Sequence, residues 1–211
     1  TLALNLKPQD VLRSLSEVHP TTMCVVPRFW EKVYAGVMER MHKSSPVQRR
    51  MLEEALRVGH TYNVEYKMRG LVPPLSLKLQ YAFYEKTVIA LLLKTLGLER
   101  HNFFPTAGAA ISPQVEEFMR SVGLLLVIGY GTVTLDRWDK PITTGSVGRL
   151  LNGVQLKFGD NNEVLLKGDT ITKGYYRKAE VTALAIDEEG WFHTGDAGYM
   201  KNGELFLTDR I

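Results

Sequence analysis

The segment that most restricts this chain is "NFFPTAGAAISPQVEEFMRSVGLLLVIGYG", residues 102–131. It closes on "LLLVIG", a continuous apolar run of the kind found in strands covered on both faces, and such strands belong to parallel sheets. It opens on "NFFPT", a second short strand that ends in a glycine turn. Between them, "SPQVEEFMRSVG" starts with Ser112 as an N-cap and Pro113 at the first helical position. There the missing proline N–H is no loss and the serine hydroxyl satisfies an orphan backbone donor. Strand, turn, helix, strand reads as a parallel βαβ unit, so the expected fold class is α/β.

The chain N-terminal to this unit is helical. "KPQDVLRSLSEVHP" carries Val11, Leu12, Leu15 and Val18 as a helical stripe and stops at the His19-Pro20 breaker. "TTMCVVP" then reads as a short buried strand closed by Pro27, with Cys24 as a small buried hydrophobe rather than a reactive thiol. "RFWEKVYAGVMERMHK" places Trp30, Val33, Tyr34, Val37, Met38 and Met41 on one helical face. From Ser44 to Gly97 the period stays helical, interrupted only at "RGLVPPLS", which predicts a long helical hairpin or insertion.

C-terminal to the unit the period changes. "VQLKFG", "EVLLKG" and "ELFLTD" are short apolar or alternating runs between Gly, Asn and Asp turns, which predicts a small antiparallel β subdomain. The boundary falls near Gly145, giving domains over 1–144 and 145–211. With 211 residues, 45% of them hydrophobic, the chain can bury one sizeable core or two small ones. A net charge of +3 without a dense run of Lys or Arg excludes a nucleic-acid stripe, and the slight excess suits an anionic small ligand or a membrane surface. One cysteine excludes a disulfide framework. "TVIALLLKTLGL" is broken by Lys94 and is too short to span a bilayer, and no signal segment opens the chain, so the expected location is cytoplasmic.

Chemistry gathers at the glycine turns. "TAGAA" and "GYG" come after consecutive parallel strands, and open α/β sheets bind ligands at such carboxyl ends, although two tight turns with no ligand give the same pattern. In "GWFHTGDAGY", Asp196 stands between Gly195 and Ala197 with little bulk beside it. Its carboxylate can accept two hydrogen bonds from a ribose diol, or it is simply a turn former. Arg210 in "LTDRI" suits a ribose or phosphate oxygen, or a surface ion pair.

Together, "TAGAAISPQVEEF", "GYG", "GSVGRLLNGVQLK" and the stretch from "EVLLKGDTITKGYYRKAEVTALAIDEEGWFHTGDAGY" to "TDRI" resemble the adenylate-forming superfamily. "TTMCVVPRFWEKVY" narrows the resemblance to long-chain acyl-CoA synthetases. The resemblance implies that a fatty acid attacks the α-phosphate of ATP, releasing pyrophosphate, and that the thiol of coenzyme A then captures the acyl-adenylate. It implies Gly108, Ala109 and Ala110 along the adenine, Tyr130 and Gly131 against the ring, Asp196 on the ribose hydroxyls, and Arg210 on ribose or phosphate. Trp30 matches an aromatic that gates an acyl tunnel; packing in the core beside Phe29 and Tyr34 is its other reading. The implied co-substrates are long-chain fatty acid, ATP and coenzyme A, with Mg2+. Peripheral membrane contact and a homodimer remain open.

The resemblance also exposes a gap. In the family "GYG" continues through a Thr-Glu pair, Thr on phosphate and Glu on magnesium, whereas here "TVTLDRWDKPITTGSVG" comes directly after it. About six residues are missing between Gly131 and Thr132, the length of a phosphate-binding loop. The expectation is a mobile segment between these two residues, against a true deletion. No catalytic residue or metal ligand is identifiable in the chain, because the family's upstream phosphate loop and its C-terminal domain with a catalytic lysine are also absent. Thr1 does not look like a natural start, and the chain reads as a fragment inactive by itself. Three readings result: a piece of a long-chain fatty acid:CoA ligase, a noncatalytic nucleotide- or acyl-binding member of the fold, or, from the helical half, an interaction module.

Overall fold

A computed structural model describes residues 10–211. Lys7–Gln9 of the first helical stripe, and Thr1, lie outside the described residues. The chain divides into two compact units, one formed by 1–127 with 138–144, the other by 128–137 with 145–211. The fold is α/β, with a parallel βαβ unit and a helical insertion followed by an antiparallel β subdomain.

The first unit is built on helices. α1 (Val11–Val18) ends where His19 turns left-handed, and of its apolar stripe only Leu15 is buried. α2 (Pro27–Lys43) starts with a proline and buries Phe29, Trp30, Val33 and Val37, positions that recur on one face. α3 (Pro46–Gly59) opens with a capping box in which the Ser45 hydroxyl accepts the Gln48 N–H and the Gln48 side chain accepts the Ser45 N–H. It runs into a π-helical segment, His60–Lys67, that the sequence period did not signal. After the prolines come α4 (Leu75–Tyr84), a second π-helical segment (Glu85–Ile89) and α5 (Ala90–Leu96). The backbone approach between α5 and α1 requires glycine at position 97, since a Cβ there would sit 2.4 Å from the Leu15 carbonyl oxygen. Among the described residues no helix is long and apolar enough to cross a membrane.

β1 (Phe104–Thr106), α6 (Pro113–Ser121) and the start of β2 (Leu126–Tyr130) form as expected. Ser112 caps α6 by accepting the Val115 N–H at 3.3 Å. Phe104 N–H donates to the Leu125 carbonyl, and parallel bridges join Thr22 to Phe103 and Val25 to Thr106. The "TTMCVVP" segment is therefore held by bridges rather than a full ladder. Its period of two leaves Cys24 exposed, which corrects the expectation of a buried thiol. A fully buried Glu116–Arg120 pair on α6, Nε to Oε1 2.8 Å, also escaped the sequence pattern.

In the second unit the end of β2 pairs antiparallel with β3 (Thr134–Leu135), and β3 pairs with β4 (Arg149–Leu150). Four further strands form an antiparallel meander: β5 (Val154–Phe158), β6 (Glu163–Gly168), β7 (Phe192–Lys201) and β8 (Glu204–Arg210). Val164, Leu165, Leu166 and Leu205 are its buried anchors. α7 (Ala179–Ala185) lies between β6 and β7 in sequence. One expectation is corrected: "HTGDAG" is not a turn but part of the ten-residue strand β7. Its glycines mark an irregularity in that strand, as glycine inside a strand commonly does.

Candidate functional site

The second unit brings three of the singled-out side chains together. β7 and β8 pair Asp196 with Arg210 across the ladder, and the Arg210 Nε lies 3.0 Å from Asp196 Oδ1. Tyr130, at the end of β2, donates its hydroxyl hydrogen to Asp196 Oδ2. The Asp196 side chain is 13% exposed while that of Arg210 is 83% exposed, so the carboxylate is largely shielded and its cationic partner is solvated. Loss of solvation, followed by the hydrogen bond to Asp196, pushes the Tyr130 hydroxyl well above the usual phenol range. Tyr130 is therefore a neutral donor at physiological pH, and Asp196 an acceptor with lone pairs beyond the two already engaged.

The strand carrying Asp196 is locally reshaped. Gly195 has φ +69°, the left-handed region where glycine pays no Cβ penalty. Thr194 Oγ1 donates to the Val164 carbonyl at 2.7 Å and accepts the Asp196 N–H at 3.1 Å. Glu163 Oε1 accepts the Gly195 N–H at 2.9 Å, and its other oxygen lies 2.9 Å from His193 Nδ1. Glu163, His193 and Thr194 were not found by sequence reasoning. Local motif reading has no means of seeing a side chain on β6 that serves the backbone of β7.

Gly131, with φ +57°, opens a tight turn through Val133, whose N–H donates to the Tyr130 carbonyl at 3.0 Å. Tyr130 and Thr134 are register partners on either side. Thr132 and Thr170 exchange hydroxyl-to-carbonyl hydrogen bonds at 3.3 and 3.1 Å, which pins the turn. Beside it lies a hollow of about 240 Å³ whose walls include Tyr130, Thr132, Leu166, Thr170, Phe192 and Thr194. The full sequence runs from Gly131 straight into Thr132, so the expected mobile segment is corrected: those residues are absent from the chain and a closed hairpin stands in their place. The turn offers no carboxylate, and among the described residues no group of three or more His, Cys, Asp or Glu is placed to hold a metal. The residues present do not fit a magnesium site.

Gly108, Ala109, Ala110 and Trp30 belong to the first unit, whereas Tyr130, Gly131, Asp196 and Arg210 belong to the second. Gly108 comes after β1 with φ +95°, and Ala109 and Ala110 are exposed, so the turn presents backbone with little side-chain bulk. Trp30 is wholly buried; its indole N–H donates to Thr106 Oγ1 at 3.0 Å and its ring meets Phe29 and Phe104 edge-on. Tyr34 instead packs edge-on against Phe118.

The comparison that decides the family is a match of the AMP-binding enzyme family to residues 2–176. The chain belongs to the AMP-binding enzyme family. Among its relatives, long-chain-fatty-acid–CoA ligase ACSBG2 of Xenopus laevis is 32% identical over 212 residues, covering 94% of this chain and 28% of that protein. The putative fatty-acid–CoA ligase fadD11 of Mycobacterium tuberculosis is 29% identical over 210 residues, covering 96% of this chain and 36% of that protein. The chain thus spans about a third of the length of these relatives. The solved structure of VinN aligns over 94% of this chain and 42% of its own, with a TM-score of 0.53 and 19% identity, a likeness of fold alone.

Proposed function

We propose that this chain supplies the adenosine-holding part of a fatty-acid:CoA ligase, which activates a long-chain fatty acid as its adenylate and passes the acyl group to coenzyme A. The observation that carries the reading is the Asp196 carboxylate, shielded from water and braced by Tyr130 and Arg210. A braced acceptor suits a vicinal diol, because two ribose hydroxyls donate in parallel to one carboxylate without having to organise it first. In this reading the Tyr130 ring, fixed by its hydroxyl, and the backbone at Gly131 face the adenine. Gly108, Ala109 and Ala110 border the adenine as well. Arg210 reaches a ribose or phosphate oxygen, and Trp30 bounds the acyl path. The turn Gly131–Val133 supplies no carboxylate for magnesium. A long-chain acyl substrate partitions into lipid, so we place the working protein in the cytoplasm near a membrane surface.

One observation favours a second reading: the closed turn Gly131–Val133 lacks the Thr-Glu pair implied by the resemblance. A member of the fold with this turn holds nucleotide without activating a carboxylate. Calorimetric titration with ATP, AMP and GTP tests the shared core of both readings. Binding of both adenine nucleotides in preference to GTP is expected; failure to bind either adenine nucleotide in a folded sample removes the site. Fatty-acid-dependent pyrophosphate release by the complete protein of which this chain supplies the adenosine-holding part separates the two, since the second reading has none.

A further inference from the structure

The β6–β7 ladder contains an arch that the candidate site depends on. Glu163 pairs with Ala197, but the next pairing is Leu165 with His193, so one residue of β6, Val164, faces three of β7, Thr194, Gly195 and Asp196. Such a bulge removes ladder acceptors from the arched residues and re-aims their side chains. Several groups of the arch are nevertheless matched. The Val164 carbonyl takes the Thr194 hydroxyl, Thr194 Oγ1 takes the Asp196 N–H, and the Gly195 carbonyl takes the Ile211 N–H at 2.8 Å. The Gly195 N–H alone is matched by a carboxylate, Glu163 Oε1 at 2.9 Å. That carboxylate is 18% exposed and held at its other oxygen by His193. The ring's far nitrogen lies 3.8 Å from Asp187, which in turn accepts the Trp191 N–H at 2.8 Å.

The geometry points to Glu163 as a positioning residue for ribose recognition: by accepting the Gly195 N–H it sets the arch that aims the Asp196 carboxylate. This rests on the reading of Asp196 as the ribose acceptor. Glu163 is the first residue of its strand and sits where a backbone carbonyl would otherwise complete the ladder, so its reach across the bulge substitutes a side-chain acceptor for a lost main-chain one. It follows that what matters at position 163 is an acceptor oxygen at that distance, not the negative charge.

Three variants test this, each titrated with ATP and with 2′-deoxy-ATP, with thermal melts alongside. Glu163→Ala removes the acceptor and is expected to weaken ATP binding about fivefold or more while drawing the two nucleotides' affinities together, the loss of one aligned hydrogen bond. Glu163→Gln keeps an acceptor oxygen and is expected to retain both affinity and ribose discrimination. A merely stapling role would lower the melt and leave the ratio between the nucleotides unchanged. Should the alanine variant not fold, Glu163→Asp, which withdraws the carboxylate by one methylene, gives the same comparison with the charge retained. Discrimination preserved in a folded alanine or aspartate variant, or lost in the glutamine variant, overturns the assignment. If the unaltered protein does not discriminate between the nucleotides at all, the ribose role of Asp196 itself falls.

Discussion

Asp196→Asn separates a ligand-holding carboxylate from an architectural one. Within the protein, Asp196 accepts one hydrogen bond from Tyr130 and pairs with an Arg210 that is 83% exposed. The solvated pair is worth at most about 1 kcal/mol. Asparagine keeps one oxygen for the Tyr130 hydroxyl and turns its NH2 toward Arg210, so the fold should lose on the order of 1 kcal/mol, a few degrees in Tm. A bound ribose loses more. One of its two charge-assisted hydrogen bonds, each about 1.5–3 kcal/mol, becomes a donor facing a donor. The expected result is a dissociation constant for ATP raised about tenfold or more. Isothermal calorimetry reads it directly, and 2′-deoxy-ATP, already lacking one donor, should be affected less than ATP. A folded Asn variant with unchanged ATP affinity refutes the reasoning, since asparagine serves equally well as a purely structural residue.

Residues 1–211 incubated with ATP, fatty acid and coenzyme A should give no fatty-acid-dependent pyrophosphate release, because the turn after Tyr130 lacks the Thr-Glu pair and its carboxylate; measurable release would contradict this. Trp30→Ala should cost about 3–5 kcal/mol in urea denaturation, since it empties a wholly buried position and removes the N–H donated to Thr106, and an unchanged midpoint would deny Trp30 its core role. Tyr81, buried and stacked on Tyr62 with centroids 4.2 Å apart, has its hydroxyl pushed up to about 12, chiefly by burial. With the folded value raised, its contribution of roughly 2–3 kcal/mol is intact below the ordinary value near 10 and is lost as pH climbs from there through 12. Ultraviolet titration of tyrosinate in a Tyr81→Phe pair checks this, and an identical curve without Tyr81 excludes it.

The parts of the fold legible in the sequence are those written in local rules. Ser112-Pro113 announces α6, "LLLVIG" announces a buried strand, and the prolines at 73 and 74 mark the break in the helical insertion. The π-helical segments were not legible, because a five-residue ladder leaves no distinct period over one or two turns. Cys24 misled because an apolar composition says nothing about which edge of a two-bridge segment faces water. At the site, Tyr130, Asp196 and Arg210 were each singled out, but their convergence depends on pairings more than sixty residues apart, as between Tyr130 and Asp196. Glu163 left no motif at all, because its partner is a backbone N–H on another strand.

The two glycines around Asp196 explain why a strand was read as a turn, and they do different work. At Gly195 a Cβ would meet nothing within 4 Å, so space is not the constraint; φ +69° is, a conformation that costs an L-residue roughly 1 kcal/mol or more. At Gly198 the backbone is ordinary, but a Cβ would lie 2.5 Å from the Phe206 carbonyl oxygen, where β7 shifts register against β8. One glycine thus permits the arch toward β6 and the other permits β8 to close in behind it. Between them Asp196 is lifted out of the alternating in-and-out order that a regular strand would impose, yet stays anchored by its pairing with Arg210 on β8. A carboxylate on a surface turn would have to be ordered by its ligand, at an entropic cost that weakens binding. Set in a bulged strand with Tyr130 and Arg210 on its oxygens, it is ordered before any ligand arrives, and that prior ordering makes the "GDAG" sequence more than a turn signal.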